Sequence, residues 1–153
     1  MKRTYSVPLI LLAVLLVVFI GWFQGERGIA EESKVRDGML IHISKSTEDP
    51  HRALMPLTLA MKLSDAYDVQ LFLDIDAIYL LTKDGPNLTY EGFDLGSKEL
   101  VAKLLEKGVH IDACPMCMKS HGVVKEDLVD GVRIATAETF NGFTEGRIIT
   151  MDW

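Results

Sequence analysis

Several features that would identify a function at once are missing from this chain. No run of lysine or arginine stands out, and the net charge of −6 excludes electrostatic support for nucleic-acid binding. There is no internal repeat or low-complexity tract, and 153 residues leave little room for a second domain. Cysteine is scarce. The chain has two cysteines, and both lie in HIDACPMCMKSHG, residues 110–122. A metal site built on them would lack a second ligand cluster of clear spacing.

Charge is also absent from VPLILLAVLLVVFIGWF, residues 7–23, which follows a short basic start. As a helix at ~1.5 Å per residue this run spans roughly 25 Å, a little short of a ~30 Å hydrocarbon core. This apolar run is longer than the hydrophobic core of a usual signal peptide. Trp22 and Phe23 lie where aromatic residues of the membrane interface are expected. We therefore interpret residues 1–25 as a transmembrane anchor. A cleaved signal peptide is the alternative, because Gly28-Ile29-Ala30 places small residues before a cut site.

Both interpretations predict the same topology. Lys2 and Arg3 hold the N-terminus in the cytoplasm, which places the remainder on the periplasmic side of the membrane, where disulfides persist. Residues 26–37 are polar and carry no apolar period, so we expect a linker there. The globular domain is then residues 38–153.

Apolar β-branched runs alternate with amphipathic segments through this domain. Such alternation predicts an α/β fold with a mostly parallel five-stranded sheet and helices on both faces, a three-layer α/β/α architecture. Asp49 is a natural N-cap for the first helix and Ser97 for the second. The predicted strands are 38–44, 68–74, 109–113 and two more in VRIATA and GRIITMDW, and the main helices run from Pro50 to about Ala66 and from Ser97 to Gly108.

Polar and reactive side chains follow three of these strands. In an open parallel sheet, sites form at the carboxyl ends of the strands. The segments Ser44–His51, Asp74–Asp76 and Cys114–Cys117 all lie at such ends. We therefore expect the chemistry at this edge of the sheet.

The strongest motif is Cys114-Pro115-Met116-Cys117, a C-x-x-C at a strand-to-helix junction. Cys114 is placed as the helix cap, so first-turn N–H groups are expected to face its sulfur and favour the thiolate, the reactive form. Cys117 lies one turn further on and is suited to resolve a bond formed at Cys114. His121 shares a helix face with Cys117 and is a candidate to tune a thiol or bind a metal.

Three chemistries fit this motif. Cys114 carries sulfur as a persulfide, or the two thiols form a redox couple, or Cys114, Cys117 and His121 hold a soft metal or other small ligand in a non-catalytic binding module. A structural disulfide is the inert alternative, although so small a loop gains little entropy from closure. His51, in the first turn after Asp49, is a candidate base or hydrogen-bond donor near Cys114, or else an ordinary surface histidine.

Three stretches together resemble the DsrE/DsrF-like proteins of sulfur relay: DGMLIHISKSTEDPHRALMPLTLAMKL, VQLFLDIDAIYLL and GVHIDACPMCMKSHGV. The resemblance covers residues 37–153 and implies the three-layer fold, a tendency to homo-oligomers, and a cysteine at this strand end that accepts and passes on persulfide sulfur. That cysteine matches Cys114, whereas Cys117 is not part of the pattern. The N-terminal membrane segment departs from the family.

Together these observations predict a sulfur-handling or thiol-redox protein, with Cys114 as carrier and Cys117 as resolving thiol. Whether it is an enzyme stays open between a sulfurtransferase and a sulfur carrier. Its expected partners are a sulfur donor or acceptor protein or a small thiol, and no cofactor is expected.

Overall fold

The computed structural model describes residues 35–153. The predicted helix of residues 1–25 and most of the predicted linker lie outside the described residues. Within them, no helix is both long and apolar enough to cross a membrane. The last linker positions are not free of the domain, because the Arg36 guanidinium donates to the Ser64 carbonyl at 3.0 Å and Asp37 accepts from Arg147 at 2.6 Å.

Five parallel strands form the central sheet, as the alternation of the sequence predicts. Their order across the sheet is β4-β3-β2-β1-β5, and every neighbouring pair runs parallel. They are β1 (Gly38–Ile43), β2 (Asp68–Leu73), β3 (His110–Ala113), β4 (Arg133–Ile134) and β5 (Ile148–Asp152).

Four helices connect the strands, together with two 3₁₀ segments. The helices are α1 (Pro50–Leu63), α2 (Ser97–Glu106), α3 (Pro115–His121) and α4 (Ala137–Asn141), and the 3₁₀ segments are Ile75–Leu81 and Lys125–Asp127. Helix α1 begins as predicted, since the Asp49 carboxylate accepts the Arg52 N–H at 3.1 Å. It ends at Leu63, three residues before the expected Ala66.

The predicted cap of α2 is wrong by one residue. Gly96 occupies the cap position, and Ser97 is the first helical residue. The Ser97 hydroxyl is used elsewhere, because it accepts the Leu88 N–H at 2.8 Å. The Ser97 side chain, which the local pattern predicted to cap the helix, is therefore bonded to a loop residue nine positions earlier in the sequence.

The apolar core lies on one face of the sheet. Ile41, Leu71 and Ile111 are in register on β1, β2 and β3, and all three are completely buried. Helices α1 and α2 pack against each other and cover this face. Each buried side chain of this size contributes roughly 1.5–3 kcal/mol, so this layer holds the domain together.

The opposite face has a thinner cover. The chain runs back from β4 to the far edge strand β5, and a right-handed crossover in that direction places α4 on this second face. Phe140 of α4 packs edge-on against Phe72 of β2, with ring centroids 4.8 Å apart. The three layers are therefore present, and α4, with only five residues, covers this face less completely than α1 and α2 cover the other.

Buried polar groups occupy the same second face. The Asp112 carboxylate is fully buried, accepts two hydrogen bonds from Arg133 at 2.7 and 3.0 Å, and accepts a third from Gln70 at 2.5 Å. These contacts tie β2, β3 and the short β4 together. They satisfy a charge that would otherwise be costly to bury.

Candidate functional site

The carboxyl ends of β2 and β3 bring the cysteine motif beside the 3₁₀ segment Ile75–Leu81. The Cys114 N–H donates to the Leu73 carbonyl at 3.0 Å, which fixes the start of α3 at the sheet edge. Cys114 is the cap residue and Pro115 the first helical residue, as predicted. The expected sulfur contact is absent, because within residues 35–153 the Cys114 side chain accepts no capping hydrogen bond from the first turn.

The two thiols differ in access. Cys114 is buried, with 6 % of its surface exposed, whereas Cys117 is half-buried. Both cysteines are free. The Cys117 sulfur also accepts the Ile75 N–H at 3.2 Å. Of the pair, Cys117 is therefore the thiol that an outside reactant meets first.

Burial raises the pKa of the Cys117 thiol above its ordinary value, and the hydrogen bond with the Cys114 thiol raises it further. The Ile75 N–H acts in the opposite direction, because a donor stabilises the thiolate. The nearby Asp74 carboxylate again favours the neutral thiol. The resting site thus holds Cys117 protonated, with one backbone donor in place to stabilise its anion.

Ile75 holds that donor in an uncommon conformation. Its φ of +43° is left-handed, and among residues 35–153 it is the one non-glycine residue with positive φ. For a β-branched residue this geometry costs about 1–3 kcal/mol and persists only where its surroundings impose it. Since 53 % of the Ile75 surface is exposed, burial does little to offset the strain. The conformation directs the Ile75 N–H at Cys117.

His121 forms a second part of the site. Its Nδ1 lies 3.0 Å from the Tyr79 hydroxyl and its Nε2 lies 3.8 Å from the Asp76 carboxylate. Tyr79 and Asp76 both belong to the same 3₁₀ segment that carries Ile75. Helix α3 is therefore joined to this segment at two points, one through Cys117 and one through His121.

The structure brings three of the four predicted site residues together and leaves the fourth apart. Cys117 and His121 lie on α3 and Cys114 caps it, whereas the ring of His51 packs against Tyr90 and Phe93 at centroid distances of 5.1 and 5.6 Å. No hydrogen bond joins His51 to either thiol in the described part of the chain. The aromatic loop that holds His51 carries no pattern that would have predicted this contact.

The soft-metal alternative gains no support. Residues 35–153 contain no group of three histidine, cysteine or carboxylate side chains that is arranged to hold a metal ion. The His121 ring contacts Tyr79 and Asp76, whereas the Cys117 sulfur contacts the Ile75 amide. The two side chains are therefore not directed at a common metal position.

A histidine with two carboxylate partners lies at the ends of β1 and β5. The Nδ1 atom of His42 is 2.5 Å from Asp152, and its Nε2 atom is 2.9 Å from Asp74. Asp74 directly precedes Ile75, so this contact also anchors the start of the 3₁₀ segment. Of the two contacts, only that of Nδ1 with Asp152 has hydrogen-bond geometry, and Nε2 lies close to Asp74 without such geometry.

A cavity of about 430 Å³ is lined in part by the 3₁₀ segment. Tyr79 and Asp76, which contact His121, also line the cavity, so it adjoins the thiol site. The segment after β1 forms the facing wall. Its lining residues are Ser46, Thr47, Glu48, Asp76, Tyr79 and Pro86.

Comparison with known proteins agrees with the observed fold. The family model described as DsrE/DsrF-like matches residues 38–150. An uncharacterized protein of Methanopyrus kandleri, MK0008, is 32% identical over 101 residues, which cover 65% of this chain and 80% of that protein.

Two solved structures share the fold. The ychN protein from E. coli superposes with a TM-score of 0.59 at 21% identity, covering 75% of this chain and 99% of that one. MTH1491, a protein of unknown function from Methanobacterium thermoautotrophicum, gives 0.55 at 17% identity, covering 74% and 98%. At these identities the likeness concerns the fold alone.

Proposed function

The chain belongs to the DsrE/DsrF-like family, and on that premise we propose that it handles sulfur or thiol redox equivalents through Cys114 and Cys117. The observation that carries the proposal is the meeting of two free thiols beside the Ile75 N–H, at the carboxyl ends of parallel strands. A thiol that can ionise beside a second thiol is suited to exchange and persulfide chemistry.

The difference in burial supports a division of roles. Cys117 receives sulfur first: its thiolate attacks the outer sulfur of a donor persulfide, a new S–S bond forms, and the donor leaves as a thiolate. Cys114 then attacks the outer sulfur of the Cys117 persulfide, so that Cys114 holds the sulfur and Cys117 is again a thiolate. Each step exchanges one S–S bond for another and needs no oxidant. Delivery to an acceptor thiol is the reverse sequence.

Cys114 is the carrier in this scheme because its burial protects a reactive persulfide from water and stray thiols. The Ile75 N–H stabilises the Cys117 thiolate that appears in both steps. His121 lies one helical turn from Cys117 and is bound to Tyr79, so we assign it a positioning role for α3. His51, packed on Tyr90 and Phe93, has no role in the proposed steps.

Intact mass spectrometry tests this function directly. The reduced full chain in mild detergent is treated with inorganic polysulfide, freed of excess reagent and weighed. We expect a species heavier by one sulfur atom that reductant removes. Cys114→Ser should lose the retained sulfur, Cys117→Ser should load more slowly, and Ser120→Ala should behave as the wild type. Retention of sulfur by Cys114→Ser at the wild-type level would overturn the assignment.

We also propose a membrane-attached, extracytoplasmic location, with a sulfur donor or acceptor protein or a small thiol as partner and with assembly of several copies. The charge-free run of residues 7–23 supports the location. Carbonate extraction of membranes tests it, because an anchored chain stays in the pellet and a chain cleaved near Ala30 is released. Loss of the protein into the cytoplasmic fraction would contradict the location.

A further inference from the structure

We propose that the cavity beside the 3₁₀ segment binds a small cationic aminothiol, or its disulfide, as the low-molecular-weight reactant of the thiol site. The inference rests on the proposed function, because it names the class of reactant that the Cys114–Cys117 pair exchanges with. It is drawn from the charge of the cavity wall, an unpartnered buried hydroxyl, and the continuity of the cavity with the residues that contact α3.

The two carboxylates of the cavity wall differ in the charged partners that they already have. Glu48 and Asp76 line the cavity, and no lysine or arginine does. Glu48 is already engaged, since its carboxylate accepts the Ser46 N–H at 3.0 Å and lies 3.7 Å from Lys45. Asp76 has only the 3.8 Å approach of His121 among the described ion pairs. Asp76 is therefore the carboxylate with capacity left for an ammonium group.

A buried hydroxyl in the wall lacks a partner. Ser46 is 2 % exposed, lines the cavity, and its Oγ makes no hydrogen bond with any described residue. A buried polar group without a partner is costly, so such groups are normally satisfied by protein, water or ligand. Thr47 and Tyr79 also line the cavity, although the Tyr79 hydroxyl is already paired with His121 Nδ1 at 3.0 Å. The lining therefore suits a compact molecule with several hydrogen-bond donors, as an ammonium group provides.

Residues that line the cavity are also neighbours of the thiol site, in sequence or through a hydrogen bond. Asp76 directly follows Ile75, whose N–H contacts the Cys117 sulfur, and Tyr79 contacts both the cavity and His121. A molecule held by its ammonium group at Asp76 is thus bound next to the segment that supports Cys117. An aminothiol carries its sulfur a few bonds from that ammonium group. We therefore infer this class of ligand, since a simple amine has no sulfur to exchange with Cys117.

The chemistry is thiol exchange in either direction. The aminothiolate attacks the outer sulfur of the Cys117 persulfide, the S–S bond at Cys117 breaks, and Cys117 leaves as a thiolate. With the corresponding disulfide, Cys117 thiolate attacks one sulfur and releases one aminothiol. Cys114 then displaces the second aminothiol and closes the protein disulfide, so two protein thiols are oxidised and one disulfide is reduced.

Exchange rates with three symmetric disulfides test the proposal on the reduced full chain. Cystamine is a dication, bis(2-hydroxyethyl) disulfide is neutral and 3,3′-dithiodipropionate is a dianion. Each rate is followed by acid quench and intact mass, then divided by the rate of the same reagent with the urea-unfolded chain to remove intrinsic reactivity. We expect a normalised preference for cystamine over the neutral reagent of at least about fivefold, the size of one half-exposed ion pair.

Matched variants separate a site from general charge. Asp76→Asn should remove most of the cystamine preference, whereas Asp94→Asn, which removes the same charge outside the cavity, should keep it. Ser46→Ala should leave unfolding by urea unchanged or shift it to higher urea, since it deletes an unsatisfied group, and should weaken saturation by cystamine. Equal loss in the Asp76 and Asp94 variants, or no preference in the wild type, would overturn the cavity assignment.

The failure of this inference is distinguishable from failure of the proposed function. If all three disulfides oxidise the thiols without preference, the reactive pair stands and the aminothiol cavity falls. If none of them reacts with Cys114 or Cys117, the proposed function falls, and the inference falls with it.

Discussion

The backbone N–H of Ile75 donates to the sulfur of Cys117 at 3.2 Å, across 42 positions of sequence. The donor residue has φ +43°, a conformation that a β-branched side chain disfavours. The acceptor is the more exposed of two adjoining thiols. A strained backbone position therefore faces the sulfur that meets external reactants, and this contact joins the β2 end to helix α3.

Replacing Ile75 tests the strain. Ile75→Gly should leave the free energy of unfolding unchanged or raise it by up to about 1 kcal/mol, because relief at positive φ outweighs the entropy of glycine in the unfolded chain. Urea-induced unfolding measures the difference. Ile75→Val is the control, since it keeps the β-branched side chain and should match the wild type. A loss of stability in Ile75→Gly would show that the Ile75 side chain contributes more than its exposure indicates.

The raised pKa of Cys117 predicts an unusual pH profile. Alkylation of Cys117 by iodoacetamide should keep accelerating beyond the pH at which an ordinary cysteine levels off, because burial and then Cys114 hold the thiol protonated. Cys114→Ala removes the neighbouring thiol, and the alkylation rate of Cys117 should then rise at lower pH than in the wild type. Peptide mapping of the labelled protein assigns the site. A Cys117 profile centred below that of free cysteine would contradict the structure.

The same shift links Cys117 to stability. Its folded pKa lies above the unfolded value, so its contribution is complete below the unfolded pKa and is lost as pH rises through the folded one. Unfolding midpoints in urea should therefore fall in alkaline solution, and less so in Cys117→Ala. An equal alkaline decline in both proteins would assign the effect to other groups.

The buried carboxylate on the second sheet face predicts a large loss on truncation of its partner. Arg133→Met leaves Asp112 charged and buried, and should cost about 3 kcal/mol of unfolding free energy. Lys103→Met is the matched control, because it removes an exposed helical pair with Glu99 at 3.7 Å and should cost about 0.5 kcal/mol or less. Urea titration compares them. Equal losses would mean that Asp112 is reached by water.

Gly122 ends α3 in the left-handed conformation, with φ +69°. A Cβ there would meet no atom within 4 Å, so substitution has only a conformational cost. Gly122→Ala should lower the unfolding free energy by about 1 kcal/mol, and Gly122→Asn by less, since asparagine tolerates this region. Thermal unfolding of the two variants gives the order. Equal stability of the alanine variant and the wild type would contradict the cap geometry.

The sequence predicted most of the fold because local pattern is enough for it. Strand β2 was predicted as 68–74 and observed as Asp68–Leu73, and the Asp49 cap and the Cys114-Pro115 helix start are where the residue types placed them. A predicted helix cap is wrong where a group outside the helix binds the capping side chain. Ser97 lost its cap position to a hydrogen bond with Leu88.

The site was predicted less completely than the fold. Cys114, Cys117 and His121 could be named because a C-x-x-C at a strand end is visible in one stretch. Ile75 and Tyr79 were missed because an exposed isoleucine and a tyrosine in a short helical turn carry no signal until their contacts are known. His51 was a candidate by residue type and position, and the aromatic loop of Tyr90 and Phe93 holds it instead.

Sequence alone determined the order of strands and helices, the two thiols at a helix start, and the family to which the chain belongs. These depend on side-chain periodicity and on caps and turns, which act over a few residues. Only the tertiary structure decided that the Ile75 amide meets Cys117, that Tyr79 meets His121, and that Cys114 is the buried thiol. Both contacts join residues 42 positions apart. Such pairs are set by how β2 and β3 align in the sheet, and no local pattern encodes that alignment.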